Sequence, residues 1–321
     1  MRGIILILIL LVAGVTAGYA QTRNNNECSG GWEKYEGSPV LGGDLGTIFD
    51  ISVMQDNKGM YRMYCSWRDK RSIALSESKD GLHWSTPEIC LKYDDSSTWE
   101  KDLNRPVVIQ KDGMYHMWYT GQADGHSWIG YATSKDGRSW ERQSKKPVLS
   151  PELSWEKVAV MCPHVNWDEK ERIFKMWYSG GEQYEPDAIG YATSKDGLNW
   201  TKEPNNPVFA YDAKNEWEQH KVTACQVIKR KNDYLMLYIG FKNIDYAQIG
   251  MARSKDGITD WERYSENPII KPGDGWDASA VYKPYAVPDK KNNRWLLYYN
   301  GRNGGHEQIG IAIHKGLNFD F

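Results

Sequence analysis

Beyond its first twenty residues the chain alternates apolar and polar positions over short runs, and the runs return in a fixed frame. Tyr115-His116-Met117-Trp118-Tyr119 is one such run. Its counterparts are Phe174-Lys175-Met176-Trp177-Tyr178, Tyr234-Leu235-Met236-Leu237-Tyr238 and Trp295-Leu296-Leu297-Tyr298-Tyr299. A period of two, enrichment in aromatic and β-branched residues, and Asp-Gly dipeptides between runs predict short antiparallel strands joined by tight turns. The run Ile129-Gly130-Tyr131-Ala132-Thr133-Ser134-Lys135-Asp136-Gly137 recurs almost unchanged at 189–197, in altered form at 249–257 and 73–81, and as a worn copy from Ile309-Gly310. Asp80, Asp136, Asp196 and Asp256 are thereby spaced by 56, 60 and 60 residues.

Each repeat has the same inner order. Trp-Glu or Trp-Asp comes first (Trp99, Trp155, Trp217, Trp276), then a strand such as Pro106-Val107-Val108, the aromatic strand, the Ile-Gly strand, and a closing Trp-x-x-x-x-x-x-Pro-Val. Four strands in about 60 residues form the blade of a β-propeller. The last repeat stops after its third strand, and the missing segment stands at the other end of the chain as Trp32-Glu33-Lys34-Tyr35-Glu36-Gly37-Ser38-Pro39-Val40. The sequence therefore predicts an all-β, five-bladed propeller of four antiparallel strands per blade, its ring closed by an N-terminal strand that completes the last blade. Closure of this kind removes the exposed sheet edge. A length of 321 residues would otherwise suggest two domains; the repeat makes residues 21–321 one.

Composition narrows the partners. Lys+Arg 40 against Asp+Glu 42, a net charge of −2 and no long basic run exclude nucleic-acid binding through phosphates. Trp 15 and Tyr 20 against Phe 6 give most aromatic surface a polar handle, suited to strands and to stacking on sugars. Residues 1–20 read as a secretory signal: Arg2, an apolar run from Ile4 to Val12, and small residues up to a cleavage point after Ala20. The run is short of the ~20 residues that span a bilayer, so an exported, periplasmic or extracellular protein, free of the membrane once cleaved and monomeric, is expected. Five cysteines without a CxxC fit neither a disulfide scaffold nor a zinc site, and no metal or cofactor is called for. Cys162 and Cys225 fall at neighbouring positions on adjacent innermost strands, where two buried thiols are the simpler reading than a disulfide.

Repetition also separates scaffold from chemistry. The Ser-Lys-Asp-Gly turns, the acidic residues Glu100, Glu156, Glu218 and Asp277, and Trp118 and Trp177 recur from blade to blade and read as turn formers and packing. Function is sought in what differs, on the face where the chain enters the innermost strands and where strands two and three connect. Aligned on their Pro-x-Val core, the innermost strands place Asp50, Arg105, Cys162, Ala224 and Lys283 at one position, preceded by Phe49, Asn104, Met161, Thr223 and Tyr282. Asp50 alone is acidic. Among the connecting loops, the third is the acidic one, with Glu182, Glu185 and Asp187.

The blade repeat (Met117-Trp118-Tyr119-Thr120-Gly121, the Ile129 to Gly137 run with Trp140, Pro147-Val148-Leu149) together with Asp50 resembles the five-bladed propeller glycosidases. These are glycoside hydrolase families 43, 32 and 68, the family 130 phosphorylases and related uncharacterised groups, and the resemblance covers the whole mature chain. In them an aspartate opening the first innermost strand, in an Asp-Pro-Ser-Val context, serves as base or nucleophile; Asp50-Ile51-Ser52-Val53 matches with isoleucine for proline. In family 43 a second aspartate and an acidic glutamate come from later innermost strands. Here Cys162 and Thr223 or Ala224 stand at those places, so neither role carries over.

The resemblance implies cleavage of a glycosidic bond in polysaccharide-derived oligosaccharides, with an acidic or furanose sugar in view. Such cleavage takes one protonated and one ionised carboxyl group. Asp50, aligned beside cationic Arg105, suits the ionised member. The acid is then expected from a loop: Glu182 or Glu185, with Glu307 third and more simply read as part of a repeated structural site. Arg68, Arg105, Lys283 and Arg302, with His164 nearby and Asn104 beside Arg105, are expected at the funnel mouth, binding a carboxylate or phosphate or neutralising the site's own acids. Trp128 and Tyr184, in variable loops, are the expected sugar-stacking residues. A phosphorylase of the same fold and a non-catalytic sugar-binding propeller are the alternatives.

Overall fold

The predicted runs pair as antiparallel neighbours. In the computed structural model, which describes residues 27–318 and 321, Met114–Ala123 lies against His126–Ser134 with Trp118 opposite Tyr131. Inside that pair comes Asp102–Lys111 and outside it Glu141–Arg142. The same four-strand order recurs five times. The first unit is Ile48–Gln55, Tyr61–Trp67, Ser72–Ser78, Glu88–Leu91; the third is Ala159–Asp168, Ile173–Gly181, Pro186–Ser194, Thr201–Lys202. The fourth is Lys221–Lys229, Tyr234–Asn243, Tyr246–Ser254, Glu262–Arg263, and the fifth Ala280–Asp289, Arg294–Asn303, His306–Lys315. Trp32–Lys34 pairs with the last of these, Trp32 opposite His314, as the displaced outer strand requires. A parallel bridge from Ala159 to Ser127 links units two and three. The signal segment lies outside the described residues.

The innermost strands pack one on the next, Ile48–Gln55 on Asp102–Lys111 and so on, and Ala280–Asp289 packs back on Ile48–Gln55. The apolar core is correspondingly split into layers between neighbours. Ile51, Met63 and Val53 of unit one meet Leu296, Tyr298 and Ile311 of unit five, and Trp118 of unit two meets Val160 and Met176 of unit three. Hydrogen bonds follow the same order. Tyr64 Oη donates to the Gly137 carbonyl, Trp118 Nε1 to that of Gly197, Trp177 Nε1 to that of Gly257, and Tyr298 Oη to that of Gly81. Trp118 and Trp177 are thus contacts between units, as their repetition implied.

The repeated Trp-Glu dipeptide has a physical reason. Trp155 lies flat against Gly180 and Gly190 of the two middle strands, where an added Cβ would sit 2.5 and 2.8 Å from the indole. The next residue, Glu156, is fully buried and accepts from Tyr178 Oη (2.7 Å), Lys202 Nζ (2.7 Å) and the Leu153 N–H (2.9 Å). Glu100, Glu218 and Asp277 receive Tyr119, Tyr238 and Tyr299 in the same way. In the Ser-Lys-Asp-Gly turns, the N–H groups of Ser139 and Arg138 and the Ser134 hydroxyl hold Asp136 down at about 2. These acids build the scaffold. Glu156→Ala leaves the Lys202 ammonium without its buried partner, and a loss of about 3–5 kcal/mol is expected, read as a lower denaturation midpoint.

Candidate active site

Every innermost strand carries a bulge at the aligned position. Asp50, Arg105, Cys162, Ala224 and Lys283 all have left-handed φ values, from 36° to 54°, and the ladder to the second strand slips there in each unit. A non-glycine residue is strained in that region, and such positions persist where the surroundings over-determine them. Here the surroundings are the preceding unit. The bulged N–H of Arg105 donates to Ser66 Oγ (2.8 Å), that of Cys162 to Thr120 Oγ1 (3.1 Å), and that of Ala224 to Ser179 Oγ (2.8 Å). Asp50 N–H donates to Asn300 Oδ1 at 3.1 Å. These four acceptors stand at one repeated place, and the asparagine is the odd member. Its longer side chain also turns its Nδ2 onto Asp50 Oδ1 at 2.9 Å.

Asp50 is buried, and its second oxygen meets Arg105 Nε at 3.0 Å. Arg105 is steadied by Asn104, which accepts from Arg105 Nη1 (2.6 Å) and donates to Gln122 Oε1 (2.7 Å). Both lie beside a cavity of about 140 Å³, well above the ~10–15 Å³ that one water occupies. Phe49, Asp50, Arg105, Glu185, Arg302 and Glu307 line it, with Arg68, Tyr184 and Tyr282 at its sides. Burial pushes Glu185 up to about 7, against the opposing pull of Arg105 and Arg302. Lys221 donates to the Glu185 carbonyl (2.7 Å) and pairs with Asp187 (2.9 Å), which pins the loop. Glu307 binds Arg68 Nη2 (2.6 Å) and accepts from Tyr282 Oη, while the Arg68 guanidinium stacks 4.3 Å above Phe49.

Several expected residues stand elsewhere. Glu182 is exposed and paired with Lys157 at 2.8 Å, outside the cavity. Trp128, opposite Gly121 on the neighbouring strand, packs on the core layer between units one and two, with His126 stacked over it at 5.7 Å. His164 follows its bulge into the second half of the strand, where Nε2 faces the Val227 carbonyl at 3.0 Å and burial lowers it to about 4. It borders a separate cavity at the other end of the innermost strands. Lys283 is buried behind the cavity wall, near Cys162 and Cys225. All five cysteines are free thiols. Asn300, Phe49 and Tyr282 were not singled out as site residues. Asn300 was detectable as the one amide at a place held by Ser66, Thr120 and Ser179 in the first three units and by Ile239 in the fourth.

The family model for glycosyl hydrolases family 43 matches residues 37–314. The chain belongs to that family. An uncharacterized protein of Mycobacterium tuberculosis is 30% identical over 77% of this family 43 chain, the match spanning 62% of the relative's own length. A 1,2-beta-oligomannan phosphorylase of a Thermoanaerobacter species is 27% identical, covering 83% of this chain and 85% of the relative. Among solved structures, a glycosyl hydrolase from Bacteroides ovatus superposes with a TM-score of 0.72 at 18% identity, over 90% of this chain and 96% of the other.

Asn300→Ser would supply the hydroxyl that three other units use for the bulged N–H but remove the amide that aims Asp50. A fall in kcat of roughly 10- to 100-fold at nearly unchanged KM is expected from steady-state kinetics, since a hydrogen bond to a charged group contributes about 1.5–3 kcal/mol.

Proposed function

We propose that this protein hydrolyses glycosidic bonds in polysaccharide-derived oligosaccharides, at the mouth of a five-bladed propeller formed by residues 21–321. The recurring four-strand order and the return of the fifth innermost strand to the first support the propeller reading. One observation carries the chemistry: Asp50, ion-paired with Arg105, and Glu185, raised to about 7 by burial, line the same cavity. Two carboxyl groups in such unlike surroundings suit opposite roles. Glu185 donates its proton to the leaving oxygen as the glycosidic C–O bond breaks. Asp50 acts on the sugar's other face, as nucleophile or as base to the attacking water.

The experiment is release of reducing sugar from a panel of plant and microbial oligosaccharides by wild type and by Asp50→Asn. Turnover by wild type that Asp50→Asn lacks supports the reading; turnover that survives the change sinks it. Phosphorolysis is the second reading, favoured by the match to the oligomannan phosphorylase. Turnover that requires inorganic phosphate and yields a sugar phosphate would select it. We further propose export, with cleavage after Ala20, which N-terminal mass measurement of the mature protein checks.

A further inference from the structure

Three guanidinium groups line the cavity, and two are spoken for. Arg105 pairs with Asp50 and Arg68 with Glu307. Arg302 has no ion-pair partner among the described residues: its Nη2 donates to the Asp245 carbonyl at 3.0 Å, and its guanidinium sits 6.0 Å from the Tyr282 ring centroid. The one cavity carboxyl left to balance it is Glu185, on which its charge acts. Two neighbouring ammonium groups do not change the count. Lys221 is neutralised by Asp187, and Lys157 by Glu182 and Asp187. Lys283, buried just behind the cavity, adds charge of the same sign without an ion-pair partner among the described residues. Cys162, at the cavity floor, has its thiol pushed up by burial and contributes no negative charge.

An acid must enter the reaction protonated. With Glu185 in that form, the cavity carries an unmatched positive charge on Arg302. We infer that the sugar bound here bears a carboxylate, as a uronic acid does, and that Arg302 determines this specificity. The guanidinium fork matches a carboxylate in bidentate fashion, and a charge-assisted pair is among the stronger polar contacts available. A phosphate, which carries nearer two charges at neutral pH, would draw on Lys283 as well, whereas Arg302 alone, at the cavity surface, matches a singly charged carboxylate. The inference rests on the proposed role of Glu185 and adds the substrate class.

The test compares oligosaccharides containing glucuronic or galacturonic acid with the same oligosaccharides after carboxyl reduction, which keeps the stereochemistry and removes the charge. Binding by calorimetry and turnover by reducing-end release are both measured at pH 6, with inorganic phosphate as a separate arm. The expected result is preference of wild type for an acidic member over its reduced partner. That preference falls about 10- to 100-fold in Arg302→Gln, and partly in Arg302→Lys, while reduced substrates are little affected. Equal binding of acidic and reduced members to wild type overturns the inference. So does an Arg302→Gln variant that weakens both alike or only moves the alkaline limb of the pH profile, which would make Arg302 a tuner of Glu185. Saturable phosphate binding lost in Arg302→Gln, without preference for acidic sugars, overturns it in favour of phosphate. If nothing is cleaved but acidic members bind through Arg302, the hydrolytic reading fails and the specificity stands.

Discussion

Asp50→Asn is expected to lower kcat/KM by about 10²–10⁴-fold, the range associated with a positioned acid or base. Asparagine keeps the shape and can still bond to Asn300, so the loss would report the missing charge. The change has a structural side effect that must be separated from it. Arg105 is nearly enclosed and loses its only ion-pair partner among the described residues, and an uncompensated buried charge costs about 3–5 kcal/mol. The double variant Asp50→Asn with Arg105→Gln removes both charges and is expected to recover most of the thermal stability but none of the activity. Recovery of activity along with stability would mean that Asp50 serves the fold alone.

Glu185→Gln is expected to be as damaging, about 10²–10⁴-fold, on substrates with poor leaving groups and far less so on nitrophenyl glycosides, whose leaving oxygen departs without a proton. In wild type the active form is protonated, so kcat/KM should hold at acid pH and fall as pH rises through about 7, and the variant should lack that limb. Stability moves with it. Below the ordinary glutamate range the residue is protonated in folded and unfolded chains alike, and the variant gains nothing. As pH rises from the ordinary glutamate range to about 7 the unfolded chain ionises while the buried carboxyl in the folded protein stays protonated, so stability falls across that window and levels off above it; Glu185→Gln should therefore melt higher than wild type at pH 8 and equally at pH 4. Glu182→Gln, whose carboxylate is solvated beside Lys157, should change none of these readouts.

Much of the architecture was legible because the repeat writes the same pairing rule into each unit, and the seam because a segment absent from one end appears at the other. Asp50 stood out because subtracting a repeated column leaves the exceptions. What alignment cannot express is where a side chain goes after a bulge. Asp50, Arg105 and Lys283 share one backbone conformation, yet the first two line the cavity and Lys283 passes behind it, because length and neighbours decide. The acidic loop was ambiguous for a related reason. Glu182 and Glu185 are three residues apart, and which one turns inward depends on Lys157 and Lys221, cations supplied from outside the loop. His164 was expected at the mouth by proximity in sequence and Trp128 as a loop residue, although Trp128 lies within the strand His126–Ser134 and a strand presents successive residues to opposite sides.

Asp50 and the asparagine that aims it are separated by 250 positions in the chain. A ribosome makes the first long before the second. Until the fifth unit has folded against the first, a nascent chain that contains Asp50, Arg105 and Glu185 holds the carboxylate by Arg105 alone, without the Asn300 amide on its other oxygen. If Asp50 acts as proposed, full activity is tied to folding of the fifth unit, and products that stop short of Asn300 would carry both carboxyl groups with Asp50 only half held.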